Sequence, residues 1–184
     1  YRHNSKFLDR RGKLQFTHSI TERPIEANKR SRVGDWELDT VRGKKGGQVL
    51  VTLVDRCSRK LFVQRANSER NIDINIALEK ILDSVNPNDI KTITPDRGKE
   101  FSLHAAITNK YSVEFYFADA YSPWQRGTNE NSNGLLREYV PKGQEIANYT
   151  DEYLQRCVFQ INNRPRKLFN WKSAQDVYNE KCST

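Results

Sequence analysis

Between Trp36 and Arg42 apolar and polar side chains alternate: Trp36, Leu38 and Thr40 point one way, Glu37, Asp39 and Val41 the other. That period of two predicts a strand with two unlike faces. Lys44-Lys45-Gly46-Gly47 reads as a turn, and the β-branched run Val49–Val54 as the next strand. A further turn over Arg56–Arg59 leads into Leu61–Gln64, which predicts a three-stranded antiparallel meander. The period then changes. Ile72, Ile76, Leu78 (or Ala77), Ile81 and Leu82 recur at helical spacing until Asn86-Pro87 stops them.

Ile90–Thr94 is a short predicted strand ending at Asp96, followed by a short helix from about Leu103 to Lys110 and a strand over Val113–Ala118. Ser122-Pro123 supplies an N-cap and a first-turn Pro, so the next helix starts there or restarts beyond Gly127. Leu135, Leu136 and Tyr139 mark its expected buried face, and Pro141 and Gly143 end it. Helical patterns over about Thr150–Asn163 and Ser173–Glu180 close the chain. The order βββ-α-β-α-β-α-α fits an α/β fold of ribonuclease H-like architecture, a mixed five-stranded sheet flanked by helices.

Charge divides the chain in two. Residues 1–32 hold nine Lys/Arg against Asp9, Glu22 and Glu26, a net +6, whereas the other 152 residues carry only +2 of the total +8. A basic N-terminal arm or linker over 1–32 before a core over 33–184 suits contact with a phosphate backbone, and equally a solvated linker that orders only on its partner. No apolar run approaches the roughly 20 residues of a membrane span. The absence of Met and the start at Tyr1 suggest a piece excised from a longer protein. Cys57, Cys157 and Cys182 are odd in number and widely spaced, which argues against a disulfide framework and for a reducing, cytoplasmic compartment. His104 is expected at a surface or a helix start rather than on a metal.

Three carboxylates stand out. Asp39 ends Trp-Glu-Leu-Asp on the polar face of the first strand, Asp96 lies in Thr-Pro-Asp-Arg-Gly past a buried-type strand, and Glu130 lies in Gly-Thr-Asn-Glu-Asn early in a helix. Singly they read as a solvated strand residue, a turn former and a helix-dipole partner. Together they repel: like charges about 4 Å apart cost roughly 4 kcal/mol at an effective dielectric near 20, unless a divalent cation lies between them.

The gaps are 56 residues from Asp39 to Asp96 and 33 from Asp96 to Glu130. With Gly127-x-x-Glu130, the second gap resembles the D,D-35-E arrangement of retroviral integrases and transposases. Tyr121-Ser-Pro-Trp-Gln-Arg-Gly-Thr-Asn-Glu130-Asn-Ser-Asn-Gly-Leu-Leu-Arg137, Gly34-Asp-Trp-Glu-Leu-Asp39-Thr-Val, Asp96-Arg-Gly-Lys-Glu-Phe101 and Asn162-Asn-Arg-Pro-Arg-Lys167 are similar to the DDE transposases of the insertion-sequence family designated IS-thirty. The likeness runs from about Arg23 to Val177. It departs at Arg97, where the family commonly has Asn, and at Ala120, where it commonly has Pro.

The resemblance implies a metal-binding catalytic triad of Asp39, Asp96 and Glu130, served by Mg2+ with Mn2+ as substitute and with two ions expected. It also implies metal-dependent DNA cleavage and strand transfer, and a sequence-reading domain upstream. The expected partners are double-stranded DNA and further copies of the chain, as a dimer or higher assembly on DNA, with no membrane. Lys99, Trp124, Arg126 and Arg137 are candidate DNA contacts. Arg164 and Arg166 contact DNA or cap a helix end, Asn162 is read as structural, and Glu100 as a spare ligand or a solvated charge. Two rival functions remain: a nuclease of the same fold that does not join ends, and a decayed, non-catalytic DNA-binding domain.

Overall fold

The computed structural model describes residues 18–119, 122, 125 and 127–182. Its centre is a six-stranded mixed sheet in the order β1-β6-β5-β2-β3-β4. The strands are β1 (His18–Ser19), β2 (Asp35–Arg42), β3 (Val49–Asp55), β4 (Leu61–Ala66), β5 (Thr92–Thr94) and β6 (Glu114–Phe117). The β2-β3-β4 meander is antiparallel, while β5 and β6 run parallel to β2. Five strands are those expected from the sequence. The sixth, β1, is a two-residue edge strand paired with β6, too short for its alternation to be visible. It belongs to the predicted basic arm, whose residues 1–17 lie outside the described residues.

Helices cover both faces: α1 (Ile25–Lys29), α2 (Asn71–Leu82), α3 (His104–Tyr111), α4 (Gly127–Arg137), α5 (Asp151–Asn163) and α6 (Ala174–Cys182). Every residue of β3 is buried, as a central strand between two helical layers requires. Val49, Val51 and Leu53 join Trp36, Leu38 and the buried residues of α2 in one cluster. Leu50 and Val54 join Val41, Leu136 of α4 and Leu154, Val158 and Ile161 of α5 in the other. Glu37, Asp39 and Thr52 therefore share the face that α4 covers.

One helical expectation needs correction and another is met in an unexpected setting. The buried stripe of α2 is Ile74, Ala77, Leu78, Ile81 and Leu82, whereas Ile72 and Ile76 are 61% and 50% exposed. The helix carries isoleucines on opposite sides, so spacing alone does not fix which side faces the sheet. His104 does begin α3 but is buried: its Nδ1 lies 3.1 Å from the Phe101 carbonyl and its ring packs edge-on against Phe117. Asn162 has the structural role expected of it. Its Oδ1 accepts from the Leu61 N–H and its Nδ2 donates to the Leu61 carbonyl, both at 2.8 Å, so one side-chain amide serves as strand partner at the open edge of β4.

Candidate active site

The parallel register of β2 and β5 pairs Glu37 with Thr94. Asp39 and Asp96 each lie two residues further along their chains, Asp39 within β2 and Asp96 just past the end of β5. Strands in a sheet lie about 4.8 Å apart, so the topology brings the backbones of these two residues to neighbouring positions. The backbone after β5 is tied down by the Ala118 N–H bonding to the Pro95 carbonyl at 3.2 Å. Asp96 Oδ1 accepts from the Gly98 N–H at 2.7 Å, a turn that Asp forms readily.

The third carboxylate arrives on α4, and Glu37 sets where that helix starts. Glu37 is fully buried. Its Oε1 pairs with the Arg56 guanidinium, and its Oε2 accepts the Asn129 N–H at 2.9 Å. Helix starts carry unpaired N–H groups and a partial positive charge, so a carboxylate here satisfies both. A second tie joins the Arg59 guanidinium to the Thr128 hydroxyl. One turn further, Asn133 Nδ2 donates to Asp39 Oδ2 at 2.8 Å, and Asn133 Oδ1 accepts from the Thr52 hydroxyl at 3.2 Å. Glu130 is three residues before Asn133, on the same side of the helix. Strand alternation puts Glu37 on the side of Asp39 but assigns it no role. For Asn133 the available signal is its place one turn from Glu130, too weak by itself to mark a site residue.

Asp39 and Glu130 line one open cleft of ≈ 410 Å³, together with Asn129, Asn133, Arg137 and Lys142. Asp39 is half-buried and Glu130 exposed. The side-chain amide of Asn129 is buried in this wall with neither its Nδ2 nor its Oδ1 hydrogen-bonded, which suits a polar occupant. Asp96 has Glu100 beside it. Burial, and then the Asp96 charge, push the Glu100 carboxyl above its ordinary range, and Arg42 pairs with it at 3.3 Å. Glu100 is thus neither fully solvated nor part of the Asp39–Glu130 cleft.

Among the described residues no three acidic, His or Cys side chains gather closely enough to hold an ion between them. The donors nevertheless fit a hard divalent cation in kind, since all three are carboxylates. Such charges separate until a cation offsets their repulsion.

The expected DNA contacts divide. Arg137 lines the cleft; it donates to the carbonyls of Arg42 at 2.7 Å and Val140 at 3.4 Å, and burial pulls its pKa down. Lys99 is exposed in the turn after Asp96. Trp124 and Arg126 lie outside the described residues. Arg97, the departure beside Asp96, turns toward the end of β6, donating to the Ala118 carbonyl at 2.8 Å and pairing with Asp119 at 3.2 Å.

The sheet thus carries Asp39 on β2, Asp96 just past β5 and Glu130 on α4, and comparison with known proteins gives the family to which such a sheet belongs. The chain belongs to the Integrase core domain family, whose model matches residues 30–123, a span that includes Asp39 and Asp96. The fold is also that of the catalytic core domain of BIV integrase: TM-score 0.64 at 15% identity, covering 82% of this chain and 96% of that one.

Among curated relatives, the transposase for insertion sequence element IS1086 of Cupriavidus metallidurans is 38% identical over 173 residues, 94% of this chain and 51% of the relative. The transposase InsI for insertion sequence element IS30A of Escherichia coli K12 is 40% identical over 158 residues, 86% of this chain and 41% of the relative. A putative integrase of Spiroplasma virus SpV1-R8A2 B is 33% identical over 171 residues, 92% and 52%. The chain spans about half the length of the curated relatives it matches.

Proposed function

We propose that this chain is the catalytic domain of a DDE transposase, cleaving DNA and joining a 3′-hydroxyl end to a second duplex, with Asp39, Asp96 and Glu130 holding divalent magnesium. The observation that carries the reading is the convergence of Asp39 and Glu130 on one cleft while the β2–β5 register sets Asp96 on the neighbouring strand end. The relatives named as transposases support it.

When bound, the ions supply activation of the attacking oxygen and charge stabilisation for the leaving one. The protein's own groups do the positioning. Asn133 fixes the orientation of the Asp39 carboxylate, and Glu37 holds the first turn of α4 against β2. Arg137 and Lys142 at the cleft wall attract the phosphate backbone and offset charge that develops on it. No side chain need bond covalently to DNA, so the acceleration comes from positioning and electrostatics. Because transposition unites two ends, a dimer or higher assembly on double-stranded DNA belongs to the same proposal. Among the described residues no helix is long and apolar enough to cross a membrane.

The test is a product assay. A labelled duplex with a free 3′-hydroxyl is incubated with the chain, Mg2+ or Mn2+, and unlabelled target duplex. Joined, lengthened strands are expected. Shortened strands alone would make the protein a nuclease of the same fold, and binding without either product would make it a non-catalytic DNA-binding domain.

Gly98 gives a second prediction. A Cβ at this position would lie 2.4 Å from Glu100 Oε2 and 2.8 Å from Asp96 Oδ1, yet its backbone (φ −64°, ψ 142°) suits any residue. Gly98→Ala should therefore fold with little change in Tm while pushing Asp96 out of place. Misplacing a reacting group by about 1 Å costs roughly 10²-fold in rate. Cleavage falling to that extent with an unchanged melting curve is the expected result, and parental activity would place Asp96 outside the chemistry.

A further inference from the structure

The face of α4 turned away from the acidic cleft borders a second, larger cleft of ≈ 540 Å³. Among the described residues its lining includes Arg30, Arg59, Arg164, Arg166 and Lys167 and no carboxylate. Three of the five come from Asn162-Asn-Arg-Pro-Arg-Lys167, the motif that the proposed chemistry leaves unused. Thr128 and Asn131 of α4 form the helical wall.

Two of these cations, Arg59 and Arg166, are pressed by burial and by neighbouring arginines. Burial pushes the Arg59 guanidinium down to about 10, and Arg30, Arg56 and Arg166 press it in the same direction, with Glu37 opposing. Burial and Arg164 lower Arg166 likewise. The Arg166 Nε is buried with no hydrogen-bond partner, although its Nη2 donates to the Ile161 carbonyl at 3.3 Å. Arg164 is paired with Glu138 at 2.9 Å. Gathering like charges around an unmet buried donor is costly unless an anion enters.

We propose that this cleft binds the phosphodiester backbone of DNA beside the reacting site. The inference rests on the transposase reading and adds a second contact surface to it. A helix with its side chains is roughly 10–12 Å across, and among the described residues α4 lines both clefts. A phosphate held by Arg166 and Lys167 is thus a neighbour of the reacting phosphate, not the reacting one. The contact fixes where along the strand the acidic cleft falls, and it reads no base sequence.

The test measures binding of a short labelled DNA duplex by fluorescence anisotropy between about 50 and 200 mM salt. Arg166→Gln with Lys167→Gln is compared with the parent chain and with Lys110→Gln, which removes a charge paired to Glu79 on the far helical layer. Removing one phosphate contact lowers the slope of log K against log salt by about 0.9, and weakens binding roughly tenfold at 50 mM. The double variant should show close to twice that change, and Lys110→Gln should keep the parental slope. If the double variant unfolds, Lys167→Gln alone, an exposed position, should still lower the slope by about 0.9.

A parental slope in the folded variants overturns the inference, and so does a drop matched by Lys110→Gln. Metal-dependent cleavage by the parent, assayed in parallel, separates this from the transposase reading. Cleavage with unchanged slopes removes only the cationic cleft. A reduced slope without any parental cleavage or joining keeps the cleft and removes the catalytic assignment.

Discussion

Asp39→Asn, Asp96→Asn and Glu130→Gln are each expected to lower DNA cleavage and joining by about 10³-fold or more, with DNA binding largely intact. Groups that act as one unit fail together, so a double substitution should be little worse than a single one. Each change keeps the shape of the side chain and removes its charge. Asp39→Asn retains an oxygen to accept from Asn133 Nδ2, which lies 2.8 Å from the native carboxylate, so its loss of rate reports on charge rather than on a collapsed cleft. None of the three carboxylates is fully buried, so exchanging one for its amide should leave stability near parental. Cleavage and strand transfer would be followed on labelled duplex in Mg2+, and unfolding by urea titration. Near-parental strand transfer in any one variant would remove that residue from the proposed triad.

How legible each segment is in the sequence follows from how many constraints act on it. β3 is buried on both faces, so its unbroken apolar run has one reading. β2 alternates because one face meets the core and the other meets α4, and that contrast is enough to put Glu37 and Asp39 on one side. It does not reveal that Glu37 is buried, because polar residues facing away from a core usually meet water. Here the partner, Arg56, comes from the turn after β3. α2 misleads because Ile72 and Ile76 are apolar yet exposed, and periodicity cannot distinguish two apolar faces. Residues such as Asn133 and Arg59 act across the fold, on strand and helix positions far away in the chain. Their roles depend on packing that no local pattern encodes.

The largest effect on stability is expected at the Glu37–Arg56 pair, and it separates holding the fold from placing the catalytic helix. The two side chains are 0% and 4% exposed, so solvent screens their attraction little. Arg56 also donates through Nε to the Ala27 carbonyl at 2.9 Å, tying α1 to the sheet. Arg56→Ala leaves the Glu37 carboxylate buried without its cation, a change worth about 3–5 kcal/mol of destabilisation. Replacing both partners with apolar residues of similar volume, Glu37→Leu with Arg56→Met, should recover most of that loss, because neither charge is then stranded. Activity should not recover with it. The Asn129 N–H would lack its acceptor, and the first turn of α4, which carries Glu130, would no longer be registered on β2. Urea midpoints at constant m-value report the first quantity, and metal-dependent cleavage at saturating DNA reports the second. A double variant that is stable and slow assigns Glu37 to positioning. One that is stable and fully active would show that the carboxylate serves only to neutralise Arg56.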